Sequence, residues 1–149
     1  FIGIQVATRE AFSTVPPGVP SETVSGIYRE RIARSPGDIR GWRLDLPFVD
    51  VGTPCDYLRA ALALAGPDHS ASVIEPGAEV HDTARVEQSV VWPGAHVGAG
   101  ARLDRCVVAG GVALRPGFHA HDAVIVPASL VRPGETARID DGMALYPLS

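Results

Sequence analysis

Val73-Ile74-Glu75-Pro76-Gly77-Ala78-Glu79-Val80, then Val90-Val91-Trp92-Pro93-Gly94-Ala95-His96-Val97, then Val107-Val108-Ala109-Gly110-Gly111-Val112-Ala113-Leu114 are one phrase written three times. Each copy starts 17 residues after the last, and Val124-Ile125-Val126-Pro127 opens a fourth. The shift aligns Val73, Val90, Val107 and Val124, and beside them Ile74, Val91, Val108 and Ile125. Turn columns follow at Pro76, Pro93, Gly110 and Pro127 and at Gly77, Gly94, Gly111 and Ala128. Val80, Val97, Leu114 and Val131 form a third aliphatic column, and Val86, Leu103, Ala120 and Ala137 a weaker fourth. Within a coil the aliphatics recur at about six residues. That period fits neither a helix face, which returns every 3.6 residues, nor a long strand of period two. It fits short strands separated by corners, three sides to a coil, with each column stacked on the next coil about 4.8 Å away. Glycine and proline stand at the corners, where φ is positive or fixed.

Working outward, Ser72 to Val131 is expected to form one continuous solenoid, with Glu135 to Ser149 capping its last coil, because open solenoids expose an edge. The pattern resembles the hexapeptide repeat of left-handed parallel β-helices. The left hand is what the resemblance implies; it runs against the usual right-handed crossover. Such a β-helix is expected to assemble into a homo-oligomer.

Composition narrows the function classes. The chain has 149 residues, 46% of them hydrophobic and 20% charged, so a packed core is within reach and wholesale disorder is not expected. Net charge is −4 and the sequence pI about 5.7, which offers no basic stripe to displace phosphate counterions and argues against a nucleic-acid partner. No apolar run approaches the roughly 20 residues of a membrane span. Cys55 and Cys106 are too few and too scattered for a disulfide scaffold or zinc site, and a cytoplasmic location is expected. All 13 basic residues are arginine, and lysine and asparagine are absent. Any mechanism that needs a lysine must take it from elsewhere.

Residues 1–66 read differently, as alternating strand and helix signals that predict an α/β unit dividing from the repeats near Gly66-Pro67. Phe1-Ile2-Gly3-Ile4-Gln5-Val6 has the composition of a strand covered on both faces. Beginning mid-strand, it is expected to belong to a longer chain. Ser21 is a candidate N-cap for a helix through about Ala33, closed by Ser35-Pro36-Gly37. Ile39 to Leu44 predicts a second strand, with Trp42 its largest apolar group. Asp50-Val51-Gly52-Thr53-Pro54 then predicts a helix start, with Thr53 as N-cap, Pro54 at the first helical position and Asp56 in the first turn. That helix ends at Gly66.

A carboxylate at the end of a strand, followed by a glycine turn and a helix, sits where α/β sheets bind ligands, and it suits a hard cation such as Mg²⁺. On spacing alone a plain helix-capping turn is an equal reading of the Asp50-Val51-Gly52-Thr53-Pro54 motif. Taken together, Phe1 to Val6, Glu22-Thr23-Val24 with Tyr28, and Asp50-Val51-Gly52-Thr53-Pro54-Cys55-Asp56-Tyr57-Leu58-Arg59-Ala60 resemble the end of the catalytic domain of sugar-1-phosphate nucleotidyltransferases, most of all the mannose-1-phosphate guanylyltransferase branch. In that family a hexapeptide β-helix often follows directly. The resemblance implies the end of a Rossmann-like domain over 1–66, then a left-handed β-helix over 67–149. It implies NTP and sugar 1-phosphate as substrates, Asp50 as a Mg²⁺ ligand, and Gly3 as a backbone position against the sugar. The family's glycine-rich nucleotide loop, second metal aspartate and phosphate-binding lysines have no counterpart in these residues, so the fragment alone is expected to be inactive. The alternative is a hexapeptide-repeat acyltransferase or a structural, oligomerising β-helix.

Other side chains invite function and have plainer readings. His69, His81, His96, His119 and His121 are expected to face solvent on the coils rather than to serve as acyl-transfer bases. His119-Ala120-His121 could chelate a metal across one strand face, but no third ligand is evident. Trp92 reads as packing or an oligomer contact, and Cys106, in the column of Ser89 and Ala123, as a small buried residue. Cys55 in a first helical turn could carry a lowered thiol pKa, with packing the plainer role. Arg29, Arg31, Arg34, Arg40 and Arg43 alternate with acids and read as a solvated face.

Overall fold

A computed structural model describes residues 3–66 and 72–148. It contains two compact units, 1–48 and 49–149.

The first unit is short on regular structure. A 3-10 turn, Arg9–Phe12, precedes a π-helical turn, Thr23–Tyr28, which runs into α1, Arg29–Arg34. Glu22, not Ser21, stands at the N-cap, and no side chain caps it; the Ser21 hydroxyl instead donates to the Val19 carbonyl at 3.2 Å. The chain leaves α1 at Ser35, as expected. Both expected strands are absent over the described residues: neither 3–6 nor Ile39–Leu44 joins a ladder. A strand persists only where a neighbour takes its N–H and C=O groups, and among the described residues of this unit there is none. Ile4, Val6 and Trp42 are left exposed. The Rossmann-like end of a domain is therefore not seen in this unit.

In the second unit the 17-residue register is the fold. Strands β1 (Val73–Ile74), β4 (Val90–Val91), the second half of β6 (Arg102–Val108) and that of β8 (His119–Pro127) stack in parallel as one side. A second side is β2 (Glu79–Val80), β5 (His96–Val97) and β7 (Ala113–Leu114). The third is β3 (Arg85–Glu87) with the first halves of β6 and β8. This is a β-solenoid of about three turns, consistent with a left-handed β-helix. The columns pair as the sequence aligns them: Val73↔Val90↔Val107↔Val124, Val80↔Val97↔Leu114 and Val86↔Leu103↔Ala120. The fourth coil stops early. Val131 follows a 3-10 turn, Ala128–Leu130, and neither it nor Ala137 joins the ladders of its column. Instead β9 (Arg138–Asp140) and β10 (Met143–Pro147) form a hairpin whose inner strand runs antiparallel to β8. Asp141-Gly142, both at positive φ, make its two-residue turn. Met143 and Ala144 are buried against the last coil.

Adjacent residues of a strand point to opposite sides, so the columns led by Val73 and Ile74 cannot both face inward. Val91, Val108 and Ile125 lie in the solenoid interior with Val97, Leu103 and Leu114. Val90 and Val107 face outward and are buried under Leu58 and Leu148. Leu58 belongs to α2, Pro54–Ala65, which thus packs on the outside of the coils.

At one corner non-glycine residues take the left-handed conformation: Gln88 (φ 45), Arg105 (φ 52) and Asp122 (φ 47) stack in successive coils. The next position inward is the Ser72, Ser89, Cys106 column. Ser72 Oγ accepts from Ser89 N (3.1 Å) and Ser89 Oγ from Cys106 N (2.9 Å), which satisfies the backbone at the bend. Gly110 serves a closer approach. A Cβ there would stand 2.6 Å from the Pro93 carbonyl oxygen of the neighbouring coil. Gly110→Ala is expected to force the coils apart and cost about 2 kcal/mol, read as a lower midpoint in urea unfolding.

Candidate functional site

The segment before α2 is where the sequence places its chemistry. Thr53 caps the helix in a complete box: its Oγ1 accepts from Asp56 N at 3.1 Å, and Thr53 N donates to Asp56 Oδ2 at 3.1 Å. The Thr53 hydroxyl also donates to Asp56 Oδ2 at 2.8 Å, and Arg59 Nη2 reaches Asp56 Oδ1 at 2.6 Å. The Thr53 bond, aided by Arg59, holds the Asp56 carboxyl below its usual pKa. Thr53→Ala is expected to cost about 1 kcal/mol, measured by thermal or urea unfolding. Since the native pKa of Asp56 lies below the unfolded one, its share of stability is complete above the ordinary aspartate range. That share is lost as pH falls through the lowered value.

With Asp56 committed to the cap, Asp50 is the free carboxylate of this segment. It does not end a strand as expected, since residues 45–52 form none, and it is exposed with no hydrogen-bond or ion-pair partner among the described residues. That offers a hard cation one oxygen ligand of the one or two that Mg²⁺ takes from protein. Among the described residues no group of three His, Cys, Asp or Glu side chains could hold a metal ion. Gly3, exposed at φ +79, belongs to the first unit, and Asp50 to the second.

The histidines are placed on the coils. His81, His96, His119 and His121 are exposed, and His69 lies outside the described residues. His81 Nδ1 accepts from Thr83 N at 3.2 Å and fixes a corner. His96 Nδ1 lies 2.9 Å from Glu79 Oε2, one coil back in register. That arrangement orients a general base in other sites, but here it stands on an outer face. His121 has both ring nitrogens on carboxylates, Nδ1 at 3.1 Å from Asp104 and Nε2 at 2.7 Å from Asp122. Neither nitrogen is left for a metal. His119 has no described partner.

Trp92 packs edge-to-face on Tyr57 of α2, rings 5.9 Å apart, and donates from Nε1 to the Tyr57 hydroxyl at 2.9 Å. It fastens the helix to the coils. Cys106 is fully buried, and burial pushes its thiol pKa up, as suits an inert core thiol.

One set of polar residues escaped the sequence reading. The 17-residue register that stacks aliphatics also stacks Arg85, Arg102 and His119, and beside them Glu87, Asp104 and His121. Reading the polar columns as carefully as the apolar ones would have found them.

Fold and register define a hexapeptide-repeat β-solenoid with a helix docked on one side. The family model described as GlmU-like, C-terminal hexapeptide matches residues 58–134, and the chain belongs to that family. No curated protein matches the chain. No helix of the described residues is long and apolar enough to cross a membrane.

Proposed function

We propose that this chain is the C-terminal portion of a sugar-1-phosphate nucleotidyltransferase working in the cytoplasm, and that its β-helix serves homo-oligomeric assembly. The family fits a β-helix of either nucleotidyltransferase or acyltransferase type. What supports the first is Asp50: the cap of α2 consumes Thr53 and Asp56 and leaves this carboxylate without a partner among the described residues, in the irregular segment ahead of a helix seated on the coils. In the reaction an oxygen of the sugar 1-phosphate attacks the α-phosphorus of the NTP in line, and pyrophosphate leaves. A bound Mg²⁺ would neutralise charge on the phosphates, with Asp50 as one of its ligands. Gly3 presents backbone without a side chain, as a position against the sugar requires. The chain holds no lysine, so any lysine that steadies the triphosphate comes from the rest of the enzyme. The test is NDP-sugar formation from an NTP and a sugar 1-phosphate by the gene product that carries this chain, with the 149-residue chain run beside it. Activity in the first and none in the second is expected; none in either would remove the reading.

A further inference from the structure

Arg85 pairs in register with Arg102, and Arg102 with His119, on the side made by β3, β6 and β8. Their Cα atoms are therefore about 4.8 Å apart. Like charges directly opposite on neighbouring strands destabilise a sheet. Yet neither arginine has an ion-pair partner among the described residues, whereas Arg59, Arg105, Arg115 and Arg138 all reach carboxylates. Two residues along the same strands, about 6.7 Å away, stand Glu87, Asp104 and His121. Asp104 Oδ2 is taken by His121, which leaves its other oxygen; Glu87 has no described partner. An open trough of about 450 Å³ lies over the column between, lined by these six side chains with Leu103 and Ala120.

Size separates the possible occupants. The volume is within the range of small-molecule sites, roughly 300–1,000 Å³. Three strands of three residues present only about 150 Å², far below the ~800 Å² per partner of a stable protein interface. Chemistry narrows the choice. Paired guanidiniums match the oxygens of a phosphate. Carboxylates only accept hydrogen bonds, so the opposite edge takes hydroxyl donors and repels a second phosphate. We propose that this trough binds a small phosphate monoester that carries hydroxyl groups, with the phosphate on Arg85 and Arg102 and the hydroxyls on Glu87 and Asp104. The site is independent of the nucleotidyl-transfer reading.

The probe is ribose 5-phosphate, titrated calorimetrically into the 149-residue chain at low salt, with inorganic phosphate and ribose as controls. Ribose 5-phosphate is expected to bind at least ~10-fold more tightly than inorganic phosphate, and ribose not at all. Arg102→Gln should weaken it at least ~10-fold, the effect of one charged hydrogen bond, while Arg138→Gln leaves it unchanged. Without ligand, Arg102→Gln should match or exceed the wild-type Tm, because it relieves the stacked charge. Absent binding, undiminished binding by Arg102→Gln, or a Tm lowered by that change would overturn the site. Equal affinity for inorganic phosphate would overturn the ligand class.

Discussion

Val97→Asp is expected to destabilise the second unit by on the order of 4 kcal/mol, in the severe class of single substitutions. Val97 is 3% exposed, paired in register with Val80 and Leu114, and packed among Val91, Leu103 and Leu114. A carboxylate there finds no hydrogen-bonding group in the apolar stack, so it must stay protonated or open the coil. The sign of the pH dependence follows. Its native pKa would be raised, so the loss is greatest at neutral pH and shrinks as pH falls through that raised value. Val131→Asp is the contrast. The same sequence column contains Val131, but the structure places it beyond the last complete coil and outside the ladders. It should cost about 1 kcal/mol or less. Urea unfolding of the two variants at pH 7 and pH 5 checks both; equal losses would mean that the solenoid interior is misassigned.

If the proposed function holds, Asp50→Asn in the full-length gene product should lower turnover at least ~100-fold, about 2.7 kcal/mol in the barrier. The substitution keeps the size of the side chain and leaves the Thr53–Asp56 cap untouched, because Asp50 takes no part in it. It removes the negative charge with which, on the proposed reading, Asp50 would help to hold a divalent cation. Fold and assembly should therefore be unchanged by circular dichroism and sedimentation while pyrophosphate release falls. Near wild-type turnover would leave Asp50 as an ordinary turn residue.

What the sequence could reveal follows the range of the forces involved. The coils were legible because a solenoid repeats its contacts: a side chain at one position meets its own kind 17 residues away, and a single shift exposes every column. The start of α2 was legible because a capping box is local, closed within four residues by Thr53 and Asp56. Among the described residues, the strands expected over Phe1 to Val6 and Ile39 to Leu44 did not form, for the opposite reason. Their residues have strand propensity, but a strand also needs a neighbour, which propensity does not supply. The end of the solenoid was hidden in the same way. Val131 and Ala137 fit the columns by spacing, and the β9–β10 hairpin, by pairing with β8, decides that the chain leaves before reaching them. The docking of α2 had a sign that went unread, since two neighbouring aliphatic columns require a cover outside as well as a core inside. Of the candidate site, the sequence places Asp50 outside the cap, but whether another side chain pairs with it required coordinates.

The reading of this chain as the end of a nucleotidyltransferase is tested most directly by asking which bond the complete gene product breaks. The measurement is pyrophosphate release with an NTP and a sugar 1-phosphate, run beside thiol release from an acyl-thioester donor with a sugar acceptor. Pyrophosphate release that requires the sugar 1-phosphate, with no thiol released, is the predicted result. Thiol release without pyrophosphate would contradict it and assign the β-helix to acyl transfer.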